Sequence, residues 1–190
     1  MRTLMIVALV GLCLFACKSK SDKNTDKSSV ETNKEVKTSD QFLTIELNAK
    51  NESNVSGKVH FVQTDDVVQM TAMVSGLSQG VHAIHIHEKS DCSSTDGKSA
   101  GGHWNPTAQP HGKWGADTGF HKGDIGNFIV KDDNEDLVVE FSTNEWCIGC
   151  GDETKDILGK GVIIHQGEDD FVSQPSGAAG SRISCAGIIE

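Results

Sequence analysis

Residues 80–124 read GVHAIHIHEKSDCSSTDGKSAGGHWNPTAQPHGKWGADTGFHKGD. From Val81 to His87 a period of two sends His82, Ile84 and Ile86 to one side and Ala83, His85 and His87 to the other. An apolar face backed by a polar one describes a strand laid on a core. The stretch then leaves the strand pattern for a long polar segment rich in Gly, Asn and Pro. Six of the eight histidines fall between Gly80 and Asp124: His82, His85, His87, His103, His111 and His121.

Outward from this stretch the same alternation recurs. Candidate strands are 42–48, 55–62, 67–74, 81–88, 126–130, 137–141, 161–165 and 182–189. Turn chemistry separates them, such as Asn51-Glu-Ser-Asn, Thr64-Asp-Asp and Ser75-Gly-Leu-Ser-Gln-Gly. Short strands at even spacing, with no 3.6-residue stripe, predict an all-β sandwich or barrel. Two long polar insertions, 89–120 and 166–181, interrupt the pattern, and loops of that length are usually functional.

The histidines carry the chemistry. His85 and His87, two residues apart on a strand, can offer two imidazoles to one ion, although such pairs also occur on exposed strands by chance. His103, His111, His121 and Asp124 follow on the loop, and three imidazoles with a carboxylate suit tetrahedral zinc. Imidazole as the dominant ligand, without thiolate, suits zinc or Cu(II). Together with His165 these residues offer more nitrogen and oxygen ligands than one tetrahedral ion needs, so two metals is the economical reading. His82, sharing a face with two isoleucines, reads as a core histidine, and His60 as an ordinary strand residue.

His85-Ile-His87-Glu, Ser99-Ala-Gly-Gly-His103-Trp-Asn-Pro, Pro110-His111-Gly, His121-Lys-Gly-Asp124-Ile-Gly-Asn, Ile163-Ile-His165 and Gly180-Ser-Arg182-Ile-Ser-Cys185 occur in this order. Together they resemble the successive signatures of the copper/zinc superoxide dismutases, over a domain of residues 41–190. The resemblance implies an eight-stranded Greek-key β-barrel or sandwich of immunoglobulin-like architecture, with two long functional loops. It further implies one copper per subunit on His85, His87, His103 and His165, and one zinc on His103, His111, His121 and Asp124. His103 is then the shared imidazole and the carrier of a proton, and Asp169 the aspartate tying a copper-side His to a zinc-side His. Arg182 becomes the guanidinium that holds the anion through two parallel donors. Cys92 and Cys185 become an intrasubunit disulfide, and a cross-link over such a span contributes several kcal/mol, roughly. The implied activity is disproportionation of superoxide to O2 and H2O2, defending the cell envelope. The alternative is a non-catalytic copper/zinc-binding envelope lipoprotein of the same fold, against which the complete copper set speaks. A zinc hydrolase using Asp124 or Glu88 as base lacks any matching spacing.

The N-terminus adds an address. An apolar run from Leu4 to Ala16, after Arg2, fits a secretory signal and is too short to span a bilayer. It ends Leu14-Phe15-Ala16-Cys17, which resembles a bacterial lipobox with Cys17 as the lipidated residue. Residues 18–40 are polar and charged, a composition that predicts a disordered tether. These features place the protein at a bacterial cell envelope, lipid-anchored on the periplasmic side or at the outer membrane. The formal net charge is −10, or −11 once Arg2 leaves with the signal, which argues against a nucleic-acid partner.

Four cysteines remain for the folded part: Cys92, Cys147, Cys150 and Cys185. In an exported chain an even number suggests disulfides, with three connectivities open to residue reasoning alone. Cys147-Ile-Gly-Cys150 lacks the helix start of a redox motif and the second pair of a zinc ribbon, so it reads as a second, local disulfide in an inserted turn. Two features depart from the family. The loop QGEDDFVSQPSGAAGS, residues 166–181, holds no lysine, so any steering field for an anion must come from Lys89, Lys98, Lys113 or Lys122. The insertion 146–156 lies near a strand edge and leaves association, with a homodimer as the candidate, undecided.

Overall fold

The computed structural model describes residues 40–133 and 136–190. The signal, Cys17 and all of the tether but Asp40 lie outside these residues. Eight strands form: β1 (Gln41–Ala49), β2 (Ser56–Thr64), β3 (Val67–Ser75), β4 (Gly80–His87), β5 (Gly126–Val130), β6 (Leu137–Thr143), β7 (Gly161–His165) and β8 (Arg182–Gly187). A single 3-10 turn, Lys98–Ala100, breaks the insertion between β4 and β5. Strand order is β5-β4-β7-β8-β1-β2-β3-β6, with every pairing antiparallel. The chain runs β1-β2-β3 as a meander, crosses to β4 and β5, returns to set β6 beside β3, and crosses again to set β7 beside β4. The result is a nearly closed Greek-key barrel: the alternation predicts an all-β sandwich or barrel, and the Greek key is what the resemblance implies.

Two halves meet at β1. Its length pairs with β2, while only Asn48 and Ala49 pair with β8, opposite Cys185 and Ser184. Alternation fills the interior. Val68, Met70, Ala72 and Val74 of β3 point in, together with Val59 and Phe61 of β2 and Ile45 and Leu47 of β1. Losing a ring such as that of Phe61, fully buried here, costs about 3–5 kcal/mol. β8 is shorter than its apolar run suggests. Past Gly187 the chain leaves β7, and Ile188 exchanges hydrogen bonds with residues 159 and 160 instead.

β4 differs from the other strands in being buried on both faces over most of its length. Ile84 and Ile86 enter the core, and His82 stacks on Phe128 with ring centroids 5.8 Å apart. The ring nitrogens of His82 lie 3.0 and 2.9 Å from the carbonyl oxygens of His165 and Ser78. His82 is thus a core residue held against backbone carbonyls and belongs to neither group of metal donors. On the opposite face Ala83, His85 and His87 lie under the two long insertions. A buried face carrying imidazoles on a strand is where the fold becomes chemical. Among the described residues no helix is long and apolar enough to cross a membrane.

Candidate metal centre

The loop after β4 folds back onto the strand it left. Residues 87 and 103 form an isolated antiparallel bridge. The amide of Trp104 donates to the Ile86 carbonyl, that of Ile86 to Gly123, and that of Gly123 to Trp104. This lacing brings His103, His121 and Asp124 to the outer face of β4. It requires a residue without a side chain at 123, because a Cβ there would stand 2.1 Å from the Ile86 carbonyl oxygen. The glycine of the His121-Lys-Gly-Asp124 motif therefore has a mechanical reason.

Seven side chains converge, all buried: His85, His87, His103, His111, His121, Asp124 and His165. The His103 ring stands in the middle, with centroids 4.0 Å from His85, 5.0 Å from His87, 5.2 Å from His111 and 5.8 Å from His121. His85, His87, His103 and His165 form one group of four donors, and His103, His111, His121 and Asp124 another, with donor atoms within 4.8 Å of one another in each. His103 belongs to both.

Hydrogen bonds decide which nitrogen of each ring is available. His87 Nδ1 donates to the Gly101 carbonyl at 3.0 Å and His165 Nδ1 faces that of Gly180 at 3.4 Å. Their Nε2 atoms are left opposed at 3.3 Å, lone pair toward lone pair, an arrangement that calls for a cation. His85 Nε2 is taken by Asp169 at 2.9 Å, and its buried Nδ1 has no partner. His111 Nε2 is taken by the other oxygen of Asp169, also at 2.9 Å. His103 Nδ1 lies 2.8 Å from Asp124, leaving its Nε2 without a partner on the side of His85. The Nδ1 atoms of His111 and His121 stand 3.0 and 3.3 Å from Asp124 oxygens yet make no aligned hydrogen bond. Close but misaligned donors around one carboxylate are what ligands aimed at a common point look like. Buried polar atoms without partners are rare, and four in one cluster fit two cations.

Asp169 ties the halves. Its carboxylate joins His85 to His111, and Asn127 fastens it by donating to its carbonyl and accepting from its amide. Gly177, at φ 70°, makes room for it, since a Cβ there would lie 1.8 Å from Asp169 Oδ1 and 2.7 Å from His111 Nε2. Gln174 brackets His111, accepting from its amide and donating to its carbonyl. Asn127, although it closes the His121-Lys-Gly-Asp124-Ile-Gly-Asn motif, and Gln174 are not marked by the sequence as site residues, because what they hold is backbone 42 and 63 residues away.

The two groups differ electrically. Burial brings His103 down to about 4, against the pull of Asp124. Burial holds His87 and His165 well below the usual imidazole range, with neighbouring imidazoles and Arg182 adding to it. For His111 burial acts in the same direction, but the carboxylates of Asp124 and Asp169 prevail and raise it to about 9. Against their own burial, the neighbouring imidazoles hold both carboxyls below the ordinary range, His103 by its bond to Asp124 and His111 and His85 by theirs to Asp169.

A cavity of about 650 Å³ opens over His87, His103 and His165, with Arg182 and Lys98 on its wall. Arg182 starts β8 and is braced by donating to the Gly97 carbonyl at 2.8 Å. Partial burial lowers its pKa, and Asp96 and Glu88 oppose that effect. Of the lysines considered for steering, Lys98 faces Asp96 at 3.1 Å and Lys122 is paired with Glu145. Cys92 and Cys185 are joined, tying the ligand loop to β8 across 93 residues. Cys147 and Cys150 form a second disulfide.

The chain matches the family model described as copper/zinc superoxide dismutase (SODC) over residues 55–188. It is 35% identical over 145 residues to superoxide dismutase [Cu-Zn] 2 of Mesembryanthemum crystallinum, covering 72% of this chain and 88% of that protein. Against superoxide dismutase [Cu-Zn] 2 of Aquifex aeolicus (strain VF5) it is 35% identical over 141 residues, covering 73% and 81%. A crystal structure of a SOD-like protein from Bacillus subtilis superposes with a TM-score of 0.68 at 28% identity, covering 78% of this chain and all of that one.

Proposed function

The chain belongs to the copper/zinc superoxide dismutase family and is an oxidoreductase of that type, and from that premise we propose a role for each residue of the centre. His85, His87, His103 and His165 hold copper; His103, His111, His121 and Asp124 hold zinc. The observation that carries the assignment is the His103 ring, which belongs to both four-donor groups, with Nδ1 on Asp124 and Nε2 buried without a partner. When bound, copper supplies the one-electron chemistry that converts superoxide to O2 and to H2O2, and zinc supplies positive charge behind His103.

The chain's own residues do the rest. His103 Nδ1 faces the zinc group, so Nε2 is the atom that can take up a proton beside the cavity. Arg182, fixed by Gly97, offers its remaining donors to a small anion entering the cavity. Asp169 fixes the tautomer and orientation of His85 and His111 together. The deciding experiment combines metal stoichiometry with superoxide disproportionation, with copper removed and restored. Activity should follow copper and not return with zinc alone. Loaded protein whose two ions show no bridging imidazolate by spectroscopy would sink the assignment.

We further propose that the protein works at the bacterial envelope, lipidated on Cys17 and held off the membrane by residues 18–40, where it removes superoxide. Supporting this are the short apolar run and Leu14-Phe15-Ala16-Cys17. Cells fed a labelled fatty acid should label the protein, and Cys17→Ser should abolish the label and free the protein from membranes. Undiminished labelling of the variant would refute the anchor.

A further inference from the structure

The second disulfide lies outside the chemistry described so far, and its surroundings differ from those of the first. Cys185 is fully buried and the Cys92–Cys185 bridge packs with Ala100 and Ile163. Cys147 is also buried, but Cys150 is exposed within an exposed run from Gly149 to Lys155. Beside Cys150, a Cβ added at Gly151 would meet nothing within 4 Å, so the approach to that sulfur is open. A cavity of about 560 Å³ opens beside the next residue, Gly151, lined on this loop also by Thr154 and Asp156 and across from it by Trp104 and Lys160.

The loop is also braced without the sulfur bond. The Asp156 carboxylate accepts from the amides of Gly149, Gly151 and Leu158, at 2.9, 2.9 and 3.0 Å. Cys147 donates its amide to the Lys155 carbonyl and accepts from that of Ile157. The adjacent Trp146, 1% exposed, anchors the segment by donating its indole N–H to the Lys122 carbonyl. Opening the bridge therefore leaves the turn's hydrogen bonds in place. A cross-link spanning three residues also restricts the unfolded chain little, so stability gives weak reason for it. An accessible bridge on a self-supporting turn belongs with the labile disulfides rather than the structural ones.

We propose that Cys147–Cys150 is a thiol–disulfide exchange site, that its partner is a dithiol reductant such as a protein carrying paired thiols, and that Cys150 is the sulfur attacked. A thiolate of the reductant bonds to Cys150 Sγ as the Cys147–Cys150 bond breaks. The electron pair leaves on Cys147, which takes a proton. The reductant's second thiolate then displaces Cys150, which takes the second proton. Two electrons pass in all: the dithiol becomes a disulfide, and the pair becomes two thiols.

The native, metal-loaded full chain serves for the test. It is exposed to graded dithiothreitol, quenched with iodoacetamide and mapped by peptide mass, and a parallel sample receives reduced glutathione. Cys147 and Cys150 should become alkylated roughly tenfold or more faster than Cys92 and Cys185. The glutathione adduct should sit on Cys150, and amide exchange of residues 147–157 should stay protected after opening. Opening of both bridges at one rate, an adduct on Cys147, or loss of that protection would each overturn the proposal. A Cys147→Ser, Cys150→Ser double variant should keep both metals and its dismutation rate while consuming dithiol only at the slower rate of Cys92–Cys185. Dithiol consumption by that variant at the native rate would overturn it equally.

Discussion

Three of the four proposed copper ligands sit on strands, His85 and His87 on β4 and His165 at the end of β7, whereas His111, His121 and Asp124 sit on the loop between β4 and β5. The strand ligands are fixed by the packing of the barrel, and burial holds His87 and His165 well below the usual imidazole range. The loop ligands are fixed by carboxylates, and there His111 is held protonated near neutrality. The charge of His111 between Asp124 and Asp169 does in the metal-free protein part of what a cation does in the loaded one. One half of the centre is thus prepared by geometry and the other by charge.

The largest effects should come from removing a ligand on one side only. His87→Ala should abolish copper binding and lower dismutation by at least about a hundredfold while zinc stays. Asp124→Ala should release zinc and leave copper on the strands. Metal analysis of the two variants reads the division directly, and loss of both ions from both variants would erase it.

Next comes the link between the halves. Asp169→Ala should weaken binding on both sides, by about ten- to a hundredfold in affinity, since one carboxylate orients a ring in each. Competition with a chelator measures both constants. A defect confined to one metal would show that the halves are held independently. Arg182→Ala should keep both metals and slow turnover by about ten- to a hundredfold, the worth of a hydrogen bond to a charged group. Equal rates at matched metal content would remove Arg182 from the mechanism.

The smallest effect is the most specific to the comparison. At pH 7 zinc must displace a proton from His111, so loading the zinc half should release about one proton per chain, while His87 and His165, already neutral, release none. Stability follows with opposite signs. His111 has its folded value raised, so its contribution is complete below about 6.5, the unfolded value, and is lost as pH rises through about 9. His103, lowered to about 4, destabilises the metal-free fold as pH falls below about 6.5, because the unfolded chain then binds the proton more tightly. Thermal unfolding of metal-free protein against pH should show both limbs. His111→Ala should remove the alkaline one alone.

The sequence by itself determined the eight strands, the all-β class and the identity of the residues that meet at the centre. A strand's period of two is local, and so is the choice of His or Asp. It also marked Cys147 and Cys150 as a local pair. Only the tertiary structure decided which nitrogen of His85 and of His111 is free, because the partner that takes the other one is Asp169, 84 residues from His85 and 58 from His111. The bracing by Asn127 and Gln174, the end of β8 at Gly187 and the open approach to Cys150 belong there too. Each depends on which distant backbone passes within about 3 Å, the reach of a hydrogen bond, and no short-range pattern encodes that distance.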